Sequence, residues 1–190
     1  KGAGDKARKV DPATQQKQEI EQLLPVELLS IDVGLDLLPL VDAARGGELL
    51  GRIASLRKQV ALELGIIVPP IHVRDDLRLR PGGYRVLISG LKVAQGEVRA
   101  NRLLAIDPSG RATEGLPGES VREPTFGLPA RWISPDDQEE ASLLGLAVVT
   151  PTEVVATHLL EIVKANFGRL FTRRALRLQV PHRLEQAARH

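Results

Sequence analysis

Two body histidines, two acidic pairs and one basic helical face are the residues from which this chain could build chemistry. His72 and His158 lie in the body, while His182 and His190 lie near the C-terminal end. A metal site needs several ligands at working spacing, and neither HxH nor HxxxH occurs. His158 falls on the apolar side of a helical pattern, TEVVATHLLEIVK, so it reads as a core or groove histidine and not a ligand. Asp75-Asp76 follows a strand pattern and Asp136-Asp137 opens a helical one; solvation and capping explain both pairs better than catalysis does. Arg52, Arg57 and Lys58 form a basic face, read as solvated because the body lacks other clustered cations. The sequence has no GxSxG, no GxxxxGKS/T and no GxGxxG after a strand pattern. It also has no Cys, which removes disulfides and thiolate metal ligands. We expect no catalytic constellation, no metal and no cofactor.

The net charge of +2 hides a division. Residues 1–9 carry Lys1, Lys6, Arg8 and Lys9 against Asp5, and residues 169–190 carry six Arg against Glu185. The body between them is acidic by 6. A nucleic-acid surface would need a basic body with aromatics to stack bases, and aromatics are only 3% of this chain. No nucleic-acid partner is expected. No apolar run approaches the roughly 18–20 residues of a membrane helix, and KGAGDKARKV lacks the apolar centre of a signal peptide. With no Met at position 1, the chain is expected to be a piece of something longer.

The elements that would position these residues follow from hydrophobic period. Residues 1–13 suggest a flexible linker and residues 14–24 a short amphipathic helix ended by Pro25. Val26 to Val33 suggests a strand interrupted by Gly34, and Pro39 turns the next stretch into an edge strand or a loop. Residues 46–65 form the clearest helix, with Leu49, Leu50, Ile53, Leu56, Val60 and Leu64 at helical spacing and Gly65 as its cap. Strands are expected over 66–76, over two segments joined near Ser89-Gly90 within 79–98, and over 102–107. Residues 112–135 suggest loop, apart from a strand at Ala130–Ile133. A helix of about three turns over 134–145, a strand over 146–151 and one long helix over 152–171 complete the pattern. The fold class is α+β with two small sheets. Phe126 and the only Trp, Trp132, both lie in REPTFGLPARWISPDDQEE, among turn residues, and the pattern alone leaves open whether they are core or a surface that something else binds.

Four segments, in this order and spacing, carry a resemblance: GELLGRIASLRKQVALELGIIVPPIHVRDD (47–76), LPGE (116–119), EPTFGLPARWI (123–133) and VVTPTEVVATHLLEIVKANFGRLF (148–171). Together they resemble the cytoplasmic region of the export-gate family that joins flagellar FlhA proteins with virulence type III secretion export proteins. The resemblance implies a membrane half before this chain and a place on the cytoplasmic face of the bacterial inner membrane. It also implies a nonameric ring that receives export chaperone–substrate complexes, works with other export apparatus proteins and catalyses nothing itself. It implies a linker over 1–25, a small α/β subdomain from 26–101 plus 151–171, and a smaller α+β subdomain inserted at 102–150. Residues 172–190 form a divergent tail, expected to be disordered. By matching motif positions, chaperone complexes would dock in a hydrophobic dimple lined by Glu123, Phe126 and Thr157, with Pro124 and Gly127 stiffening the turn. Family members of the virulence branch are the alternative. A different class, a small α+β enzyme or ligand-binding protein using His72 or His158, would need a polar pocket around either histidine.

Overall fold

The computed structural model describes residues 27–109 and 115–170, so the expected linker, its helix over 14–24 and the tail lie outside the described residues. The chain runs β1 (Leu29–Val33), α1 (Leu38–Val41), α2 (Leu49–Leu64), β2 (Ile71–Asp75), β3 (Gly83–Ile88), β4 (Leu91–Glu97) and β5 (Leu103–Ile106). It continues through β6 (Glu119–Arg122), β7 (Pro129–Ile133), α3 (Gln138–Leu143), β8 (Ala147–Val149), α4 (Pro151–Ala165) and α5 (Phe167–Leu170). Two four-stranded sheets form, ordered β2-β1-β3-β4 and β6-β7-β5-β8. In the first, β1 pairs parallel with β2 and antiparallel with β3. The second is antiparallel throughout.

Side-chain alternation assigns each face. On β1, Leu29, Ile31 and Val33 enter the main core, whereas Ser30 and Asp32 point the other way and are buried too. On the second sheet, Leu104, Ala130 and Trp132 join the main core, which also contains the buried faces of α2 and α4. Ala105 and Ile133, on the opposite face, pack with Leu116 and with Ala141 of α3 in a smaller cluster. The second sheet is thus apolar on both sides. The buried stripe of α2 is Leu49, Ile53, Leu56 and Val60; Leu50 and Leu64 fit the helical spacing but are exposed, because the stripe in contact with the core is narrow.

Local signals set the helix ends. Gly65 closes α2 with φ +67, its N–H bonding Ala61 O. Thr150 and Glu153 form a reciprocal capping box at the start of α4, with Pro151 in its first turn.

Several expectations need correction. Pro39 lies in the first turn of α1, where its missing N–H is harmless, and not in an edge strand. The first two strands begin later than the apolar runs, at Leu29 and Ile71, the latter beyond Pro69-Pro70. The three-turn helix over 134–145 is a 3₁₀ turn (Pro135–Asp137) followed by the six residues of α3. The long last helix breaks at Asn166, whose side chain donates to Ile162 O (2.9 Å) and competes with the helical ladder. Strand β6 lies in a stretch read as loop; of its four residues only Val121 is apolar, so no alternation betrays it.

Candidate interaction site

Strands β6 and β7 pair up to Arg122↔Pro129, so residues 123–128 are the loop of a β-hairpin. The loop is closed by its own polar groups. Glu123 N donates to Leu128 O (3.0 Å), and Gly127 N donates to Glu123 O (3.1 Å). The Glu123 carboxylate accepts from the amides of Thr125 (2.8 Å), Phe126 and Leu128 (3.4 Å). Arg122 donates from outside to Gly127 O (2.8 Å). Gly127 has φ +70, a conformation that costs glycine little. The Glu123 side chain therefore caps this turn through three of its amides. Glu123 is 5% exposed and Phe126 is 66% exposed.

Behind the loop stands a buried polar pair. Tyr84 Oη lies 2.7 Å from His158 Nδ1, with the rings edge-to-face at 5.8 Å. Burial holds the His158 pKa below its usual value, with the Glu123 charge opposing, and burial pushes the Tyr84 phenol up, with Glu123 adding to the shift. Burial thus disfavours the imidazolium, and the Tyr84 hydroxyl and His158 Nδ1 share one hydrogen bond whose direction follows the imidazole tautomer. Gly96 makes this possible: it pairs with Tyr84 across the sheet, and a Cβ there would collide with the tyrosine ring and hydroxyl. Nothing in the sequence pattern singled out Tyr84 or Gly96; a glycine inside an alternating strand was the available signal.

Thr157 is exposed on α4, one residue from His158. It lines a shallow groove of about 300 Å³ between α2 and α4, with Arg52, Leu56, Glu153, Ala156 and Leu160 among its walls. Glu123 and Pro124 line another cleft, of about 320 Å³, with Val121, Trp132, Glu97 and Arg99. The structure brings Glu123, Pro124, Phe126 and Gly127 together in one loop. Thr157 is not brought into that loop: its groove and the cleft at Glu123 and Pro124 are lined by different residues.

The other sequence candidates have structural roles. Arg52 pairs with Glu153 (2.6 Å), and Arg57 donates to Val68 O (3.0 Å), so the basic face of α2 is not simply solvated. Asp76 is not a solvated acid either. It is buried against Arg78 (2.9 Å) and Arg85 (2.5 Å), and the Arg78 hydrogen bonds hold its carboxyl down at about 2. Asp32 bonds Arg74 (3.1 Å) and Arg85 (2.8 Å) on the same sheet face. His72 is half-exposed, 3.5 Å from Glu27. Ser134 caps the 3₁₀ turn Pro135–Asp137, its side chain accepting from Asp136 N. Among the described residues no group of three or more His, Cys, Asp or Glu is placed to hold a metal ion, and no helix is long and apolar enough to cross a membrane.

Compared with known proteins, residues 1–189 match the model of the FHIPEP family. The flagellar biosynthesis protein FlhA of Treponema pallidum (strain Nichols) is 42% identical over 160 residues, 84% of this chain and 22% of the relative. That of Bacillus subtilis (strain 168) is 36% identical over 189 residues, 95% of this chain and 28% of the relative. The chain thus spans between a fifth and a third of the length of these curated relatives. Among solved structures, the Chlamydia pneumoniae CdsV protein superposes with a TM-score of 0.67 at 19% identity, over 87% of this chain and 50% of that one. Nonameric EPEC SctV-C does so with a TM-score of 0.53 at 15% identity, over 82% and 44%. At these identities the likeness shows the α+β fold.

Proposed function

The chain belongs to the FHIPEP family, and from that membership we propose that it is part of the cytoplasmic platform of a type III protein export gate, docking export chaperone–substrate complexes without catalysing a reaction. The observation that carries the docking site is Phe126: a large aromatic, 66% exposed, on a loop already fixed by five hydrogen bonds among residues 123–128. A rigid exposed aromatic is a good interface anchor, because little order remains to be gained on binding. Thr157, exposed in the separate groove between α2 and α4, is proposed as a second contact for the same partner. Identity favours the flagellar branch over the virulence branch, with flagellar relatives at 42% and 36%. Assembly into a ring, attachment to the inner membrane through a further part of the protein, and work beside other export apparatus proteins belong to the same proposal; the nonameric state of one structural neighbour supports the ring. The alternative built on His72 or His158 calls for a polar pocket around a histidine, and neither residue lines the two grooves described above.

The test is calorimetry with flagellar chaperone–substrate complexes, comparing the native chain with Phe126→Ala and Thr157→Met. The expected result is a loss of about 2 kcal/mol or more for Phe126→Ala, the size of an interface hot spot. Binding that survives both substitutions unchanged overturns the site.

A further inference from the structure

An acid beside an exposed aromatic invites the view that both touch the partner. The geometry points elsewhere: we infer that Glu123 is a positioning residue, its carboxylate turned inward on the loop backbone, and that contact with the partner falls to Phe126. The inference rests on the docking reading above and deepens it. Glu123 is 5% exposed. One carboxylate oxygen accepts from Thr125 N, the other from Phe126 N and Leu128 N. Its own N–H and C=O are engaged by Leu128 and Gly127. On its far side its charge acts on the buried Tyr84 and His158. A carboxylate offers about four lone-pair sites, and three amides already converge on this one. Charge-assisted bonds of this kind are stronger than neutral ones, so the backbone that carries Phe126 is held before any partner arrives. A partner cation would have to displace those amides to reach the acid.

Side-chain length gives the proposal its own signature. Glu123 reaches the amides at 125, 126 and 128. Aspartate, one methylene shorter, caps amides two residues ahead in ordinary Asx turns, so it keeps the near part of the cap. Glutamine keeps the length but puts an NH₂ donor against N–H donors.

The experiment compares Glu123→Gln, Glu123→Asp and Phe126→Ala in three readouts: amide hydrogen exchange of the free chain, affinity for flagellar chaperone–substrate complexes, and the salt dependence of that affinity. Trp132 emission reports that each variant is folded. We expect Glu123→Gln to speed exchange at Thr125, Phe126 and Leu128 and to weaken affinity about tenfold, the scale of a lost charge-assisted hydrogen bond, with the salt dependence unchanged. Glu123→Asp restores part of both the protection and the affinity. Affinity lost with exchange unchanged, or with a flatter salt dependence, makes Glu123 a contact residue and overturns the inference. Exchange accelerated with affinity unchanged overturns it as well. If Phe126→Ala alone leaves affinity untouched, the docking reading itself has failed, and the exchange result still tells whether Glu123 holds the loop.

Discussion

Phe126 and Trp132 stand six residues apart on one hairpin, and one is 66% exposed while the other is 2% exposed. Hydrophobicity does not separate them; what each is fastened to does. Trp132 sits in β7 on the face that register turns toward the core, paired with Leu104 and Glu119 across the sheet. Its place is fixed by burial in the apolar core that also holds Leu104, Ala130 and the buried face of α4. Phe126 sits at the loop end of the same hairpin, where no core reaches, and its place is fixed by hydrogen bonds to the main chain around it. One aromatic stabilises the fold. The other is exposed and free of the core.

The contrast can be broken by substitution. Trp132→Ala should destabilise the chain by about 3–5 kcal/mol, as large-to-small changes in a packed core do, measured by urea unfolding. Phe126→Ala should move the same unfolding curve by less than about 0.5 kcal/mol, the usual range for a surface substitution, while costing docking about 2 kcal/mol. Equal effects of the two substitutions on stability would erase the distinction. Gly127→Ala should cost about 1 kcal/mol, because alanine is strained at φ +70. That loss should come with weaker docking, since Gly127 belongs to the loop that carries Phe126.

A smaller effect sharpens the buried side of the comparison. His158 has its folded pKa below its usual 6.5, chiefly through burial. The folded state therefore takes up this proton at lower pH than the unfolded chain does. Its contribution to stability is complete above pH 6.5 and is lost as pH falls from there through the lowered value. Unfolding midpoints taken from pH 7.5 to pH 5 should decline, and His158→Gln should flatten the decline. A flat native profile would mean that His158 is not shielded as its contact with Tyr84 implies.

How much of this was legible in the sequence depended on the physical signal each residue leaves. The α2 and α4 helices and the turn at Ser89-Gly90 follow from period and caps. The exposure of Phe126 was expected from the family resemblance, with the prolines and glycine around it pointing only to a rigid turn. Strand β6 left no trace, because ESVR has one apolar side chain and sits at a sheet edge. For that reason the hairpin that carries residues 123–128 was invisible in the sequence. The cap by Glu123 depends on where the loop amides point, which no spacing reveals. The Tyr84–His158 bond joins residues 74 apart in sequence, and the Asp32, Asp76, Arg74 and Arg85 cluster on the outer sheet face needs the strand register that brings Asp32 beside Arg74 and Arg85.

The central claim, that Phe126 meets the docked complex, is tested most directly by placing a photocrosslinking phenylalanine analogue at position 126 and, separately, at Leu143. Both side chains are apolar and exposed, Leu143 at 83%. With flagellar chaperone–substrate complexes present, position 126 should crosslink to the complex and position 143 should not. Binding that persists with no crosslink from position 126, or with equal crosslinking from both, would contradict it.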